Sequence, residues 1–336
     1  MNVSHSIPAV GANPAVRRGQ ILAAVGAALL AGMLVRCASA ANITMVTANQ
    51  SWLNAAVWSD NMAPSTTNDY FTAVTGNNFL RTSSAGGSAG GNADFTGNSL
   101  TVVAGTKLLY KQIGGETAAI NGGAGDLTLD GQANAFNGIQ LAPNGSQTGT
   151  TLTLDINQLA IASDSTIEAG GTTGNATVLL DAILTGAGNL TFQRQGNNGD
   201  GNDTDLNTTI SVASVSGYTG NILVTRDTTL DFNSNHVFPG SLSLVSGPDD
   251  NSGAGLMDLA LLNVDQRLEF ESVRGDGTFV DPGSYSGNEL VALNTTLGGT
   301  FFVDGGGTLV VRVPEPISIA LVGLGGLGLL LVRRRP

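Results

Sequence analysis

GAGDLTL at residues 123–129 and GAGNLTF at residues 186–192 decide the fold, and they differ only in Asp126 for Asn189 and Leu129 for Phe192. In each, two glycines flank an alanine, a carboxylate or amide follows, and the last three residues alternate apolar, polar, apolar. Alternation with period two marks a strand with one buried face, and Gly, Asn and Asp accept the tight turns and positive φ at its ends. Looser copies stand at 150–155 (TTLTLD), 228–233 (TTLDFN) and 241–246 (SLSLVS).

Working outward, the same character recurs at LTVVAGTKLLYK (100–111), NATVLLDAIL (175–184), GNILVTRDTTLDF (220–232) and GTLVVRV (307–313). Amphipathic helical spacing over a dozen residues is hard to find between 41 and 312, and 258–264 is the least β-like stretch. Runs that return every 20 to 40 residues or so predict an all-β solenoid, a parallel β-helix in which each rung adds short strands and stacks on the next. A β-sandwich gives similar short strands at closer, steadier intervals and stands as the alternative.

The ends lie outside that pattern. Arg17 and Arg18 precede an apolar stretch at 21–35 and then Cys37-Ala38-Ser39-Ala40. That order reads as a signal peptide helix, with small residues placing cleavage between Ala40 and Ala41. Cys37 follows Val35-Arg36 rather than small residues, which argues against lipidation. It is the only cysteine, so the exported domain has neither disulfides nor thiolate ligands and depends on burial and hydrogen bonding. Of 26 acidic and 14 basic residues, all but Glu315 and six terminal arginines lie between 41 and 312, leaving a net charge of −17 there. Such a domain repels nucleic acid.

At the other end, VPEPISIALVGLGGLGLLLVRRRP (313–336) joins Pro314-Glu315-Pro316, a charge-free apolar run of 16 residues at 317–332, and Arg333, Arg334 and Arg335. As a single transmembrane helix the run spans about 24 Å, short for a bilayer unless arginines snorkel. The arginines belong on the cytoplasmic side, with the acidic domain outside. In this order the three parts resemble the PEP-CTERM sorting signal of exported bacterial proteins. The resemblance implies that the secretion machinery exports the chain and the inner membrane holds it transiently. An exosortase then recognises Pro314-Glu315-Pro316, removes the tail and passes the protein to the cell surface or extracellular matrix.

LTGAGNLTFQ (184–193) followed by SGYTGNILVTRDTTLDF (216–232) is similar to the autotransporter-associated β-strand repeat, and SWLNAAVWSDNMAPSTTNDYF (51–71) looks like the start of large secreted β-solenoid proteins. That resemblance implies a right-handed parallel β-helix capped by the Trp52 and Trp58 segment. The expected layout is a signal peptide at 1–40, an N-terminal cap with first rungs at 41–120, and solenoid repeats at 121–275. A closing β unit at 276–313 and the sorting tail at 314–336 complete it.

Chemistry would have to rest on carboxylates. The mature domain has one histidine, His236, and it lacks a G-x-S-x-G elbow, a His-Glu-x-x-His motif and a phosphate-binding loop. Asp249-Asp250 matches one fragment of the polygalacturonase pattern, in which paired aspartates activate water and protonate the leaving oxygen, but the His-Gly and Arg-Ile-Lys elements are missing. GNNGDGNDTDLN (196–207) offers Asp200, Asn202, Asp203 and Asp205 as hard oxygen ligands for calcium. Thr208, however, stands where an EF-hand glycine belongs, and the pattern occurs once. The expectation is an exported, non-enzymatic structural protein with no catalytic residue and no cofactor beyond candidate calcium. Its polar faces would meet extracellular polysaccharide or neighbouring chains. The alternatives are a carbohydrate-active β-helix enzyme and a calcium-dependent adhesin.

Overall fold

Each period-two run forms strands, and the strands pair with their counterparts one turn away along the chain. The computed structural model describes residues 40–72, 76–82, 93–110, 116–131, 138–141, 150–169, 176–194, 208–225, 227–248, 257–258 and 260–312. Among these residues there are two sheets of twelve strands each and a separate two-stranded sheet. The chain passes back and forth between the two long sheets, and twice forms two strands of the first in succession, Ala93–Phe95 with Ser99–Val103 and Thr117–Ile120 with Asp126–Asp130. Ladder partners within the long sheets are parallel except where Thr278–Phe279 and Gly283–Tyr285 join near the end. A β-sandwich would need antiparallel Greek-key pairing, so the solenoid reading holds and the alternative falls.

One turn shows the logic. Thr150–Ile161 pairs with Ala176–Gly186 through Leu152↔Val178, Leu154↔Leu180 and Leu159↔Leu184, with a register shift between Asp155 and Gln158. Ser165–Ala169 then pairs with Leu190–Arg194 in the second sheet. The shift lets Thr150–Ile161 run along two shorter strands: its first half meets Thr117–Ile120 and its second half Asp126–Asp130. Inward residues stack on their own kind, as in the column Leu152, Val178, Ile210 and Leu230, all 0 % exposed. Truncating a middle member, Ile210→Ala, is expected to cost about 2–5 kcal/mol through lost burial and the cavity left behind.

The corners explain the heptads. A Cβ on Gly220 would sit 2.0 Å from the Gly188 carbonyl oxygen, and one on Gly240 would sit 2.2 Å from that of Gly220, so only glycine lets the backbones approach. The next residue in each rung builds a polar ladder. Asp164 Oδ1 accepts from Asn189 N–H and Nδ2, both at 2.9 Å. Asn189 Oδ1 accepts from Asn221 N–H and Nδ2 at 3.1 and 3.0 Å, and Asn221 Oδ1 accepts from Ser241 N–H and Oγ at 2.9 and 2.8 Å. The two founding heptads do not stack on each other, because Asp126–Asp130 belongs to the first sheet and Leu190–Arg194 to the second. The shared sequence is a corner module used at two different corners, with Asn157 Nδ2 donating to Asp126 Oδ1 at 2.8 Å at the first.

Both ends are closed. Near the start, Trp52, Trp58, Tyr70 and Phe95 are fully buried. Trp58 and Tyr70 meet edge-on at 4.7 Å, Trp52 and Phe95 stack at 5.2 Å, and Trp58 Nε1 donates to the Trp52 carbonyl at 2.9 Å. The outer edge of Ala41–Thr44 is covered at Thr44, whose carbonyl accepts from Ser59 N–H at 2.8 Å and whose N–H donates to Ser59 Oγ at 3.2 Å.

The other end departs from expectation. The segment at 276–313, expected to be wholly β, contains a helix at Asn288–Leu297, whereas the stretch judged least β-like holds the strand Ala260–Val264. Leu290 is buried, and Leu293 and Leu297 pack against the core; residues three or four apart share one helix face. Ser286 N–H donates to Glu289 Oε2 at 3.1 Å ahead of the first turn, and Gly298 ends the helix at φ 78. Tertiary packing against the last rung lets so short a helix form.

Candidate functional site

The last rung is where the solenoid meets the sorting segment. Thr308–Val311 lies between Arg267–Gly275, to which it is parallel, and Gly283–Tyr285, to which it is antiparallel. Leu309 and Val311 point into the core. Arg312 follows, its N–H donating to the Phe270 carbonyl at 3.0 Å and its Nε to Glu269 Oε1 at 2.7 Å. Arg267 Nη2 donates to the other carboxylate oxygen at 3.2 Å. The hydrogen bond from Arg312, reinforced by the two positive charges, holds the Glu269 carboxyl below the usual range. Neither Glu269 nor Arg312 stood out in the sequence, because partners 43 residues apart are joined only by the rung register.

Several residues singled out in the sequence fall outside the described residues: the sorting residues Pro314, Glu315, Pro316, Arg333, Arg334 and Arg335, the calcium candidates Asp200, Asn202, Asp203 and Asp205, and the pair Asp249 and Asp250 of the alternative enzyme reading. Among the described residues no helix is long and apolar enough to cross a membrane, and no group of three His, Cys, Asp or Glu is placed to hold a metal ion. Ala40 is described, and the first strand begins at Ala41.

His236 sits between Phe232 and Phe238, with ring centroids 6.0 and 5.9 Å away, and its Nε2 lies 2.8 Å from Ser234 Oγ. Burial lowers its pKa. Two phenyl rings and a hydroxyl pack this histidine, and among the described residues no carboxylate hydrogen-bonds it to orient it as a base.

Charge divides between the sheets. Strands of the first sheet carry aspartates, among them Asp69, Asp126, Asp155, Asp181 and Asp231, and no lysine or arginine. Arg81, Lys107, Arg194, Arg267 and Arg274 all lie on strands of the second. Lys107 and Glu168 form a buried pair at 2.8 Å, and Gln193 Nε2 donates to the other Glu168 oxygen at 2.8 Å. On the first sheet Asp155 and Asp181 are register partners. Burial raises the Asp155 pKa first, with repulsion from Asp181 and Asp94 adding to it. Threonines Thr151, Thr177, Thr209 and Thr229 stand in register on the outward side of the same sheet.

Residues 312–335 match the PEP-CTERM protein-sorting motif. The motif indicates an exported protein that is held transiently at the membrane and processed by an exosortase. The match begins at Arg312, on the rung just described, and does not reach the 184–232 segment that resembles a β-strand repeat. No curated protein and no solved structure matches the chain.

Proposed function

We propose that this chain is a non-enzymatic structural protein of the cell surface or extracellular matrix, delivered by export and released by removal of its C-terminal tail. The observation that carries the reading is the sorting motif joined without a linker to a solenoid whose polar corners bond one another from rung to rung. A ladder of that kind spends its side chains on stiffness rather than on a reacting centre. The signal peptide expected at 1–40 fits a first strand that starts at Ala41.

For the partner we propose a neutral, hydroxyl-rich polysaccharide. Supporting this are the in-register threonine column on the first sheet, with a rung spacing of about 4.8 Å, and the absence of basic residues from that sheet's strands, which disfavours anionic polymers. Mass spectrometry of termini in fractions of the host tests delivery. A mature form that starts near Ala41, ends close to Pro314 and lies outside the inner membrane is expected. An intact chain through Pro336 in the inner membrane would refute the reading.

A further inference from the structure

Arg312 is the first residue of the sorting match, and its backbone N–H is held by the Phe270 carbonyl of the neighbouring rung. The strand before it is paired on both edges and buries Leu309 and Val311, which are 0 % and 3 % exposed. Only Val313 separates Arg312 from Pro314, so Pro314 can stand no more than about 7 Å from Arg312 at 3.3–3.6 Å per extended residue. An enzyme that cuts beside Pro314-Glu315-Pro316 must take extended backbone on both sides of the scissile bond. On the N-terminal side that backbone is committed to a strand paired along both of its edges.

We propose that Glu269 is a positioning residue that latches the start of the sorting segment onto the last rung, and that release of the 308–312 strand limits tail removal. The inference rests on the exosortase reading. Glu269 suits the role because its carboxylate, with a side chain 19 % exposed, takes Arg312 on one oxygen and Arg267 on the other. It ties the segment to a strand one full rung earlier. It also lies outside the matched residues, so changing it leaves the recognised motif intact.

The test is a pulse-chase in the native host that follows the tail-bearing form into the tail-free form. For Glu269→Gln the half-life of the tail-bearing form should fall about threefold, the scale of one partly exposed ion pair, while Glu269→Asp should stay nearer the wild type. Hydrogen exchange on the full chain should show faster exchange at 308–312 in Glu269→Gln and unchanged exchange at 150–194. An unchanged or longer half-life, or faster exchange in every rung, overturns the latch. A wild-type chain that keeps its tail overturns the exosortase reading itself, which separates the two failures.

Discussion

Replacing Asn294 by alanine should both weaken the fold and open its last sheet edge. Asn294 stands on the helix Asn288–Leu297 and does the work of a missing strand. Its Oδ1 accepts from Phe301 N–H and Phe302 N–H, both at 2.9 Å, and its Nδ2 donates to the Phe302 carbonyl at 2.9 Å. Asn294→Ala takes three bonds from backbone groups at residues that are 0 % and 3 % exposed. At about 1 kcal/mol net per bond, and more where a buried group finds no water, the loss should come to about 2–4 kcal/mol. Asn294→Asp keeps the acceptor and loses the donor, so it should fall between the two. Urea denaturation of the processed protein reads the energy, and sedimentation velocity reads whether an opened edge recruits other chains. A loss under about 0.5 kcal/mol with an unchanged monomer would refute the idea that Asn294 caps the sheet.

The raised pKa of Asp155 means that the folded state holds this proton more tightly than the unfolded state. Its contribution to stability is therefore full below the ordinary aspartate range and is lost as pH rises through the folded value. Asp181→Asn should raise the melting temperature at pH 7, and the gain should vanish near pH 3; an equal gain at both would remove repulsion as the cause. Glu269 has the opposite sign: its stabilisation is present at neutral pH and is lost as pH falls through its lowered value. Gly220→Ala should cost more than about 3 kcal/mol, because its Cβ would meet backbone at 2.0 Å. Gly217→Ala, with φ +70 and nothing within 4 Å, should cost only about 1–2 kcal/mol for the left-handed backbone. Equal costs would show that close approach of rungs is not what selects glycine.

The strands were legible because period-two alternation depends on burial of one face, and burial does not require knowing the partner. Leu127, Leu129, Leu190 and Phe192 all point inward as their heptads imply. Which rung stacks on which was not legible. The likeness of 123–129 to 186–192 reports a local corner, and the same corner chemistry serves two positions in the cross-section. The true partners of Asn189 are Asp164 and Asn221, at separations of 25 and 32 residues, and no fixed period links them. The helix at Asn288–Leu297 carried a local signal, Ser286 three residues ahead of Glu289, which is a capping-box spacing. Thr295 and Thr296 masked it by their β propensity. The candidate site was legible only as a motif. That Arg312 is pinned by Glu269 follows from the register of the last turn.

The two closed ends bear on how such a protein can build anything. A solenoid with bare end rungs would extend by adding copies end to end, since a heterologous contact that does not close gives an open filament. Here one end presents Ser59 on the Thr44 backbone and packed tryptophans, and the other presents Asn294 on the Phe302 backbone and a helix. Both devices occupy groups that a further rung would need. Growth by rung addition is thus disfavoured at both ends of the first sheet, whose terminal strands these devices cover; in the structural role proposed above, association would then run along the faces of the solenoid. Of these, the strands of the first sheet carry aspartates without a balancing cation, so two copies repel through it. The neutral polysaccharide proposed above would meet a face whose strands carry no basic residue, and contact of that kind should be nearly independent of salt.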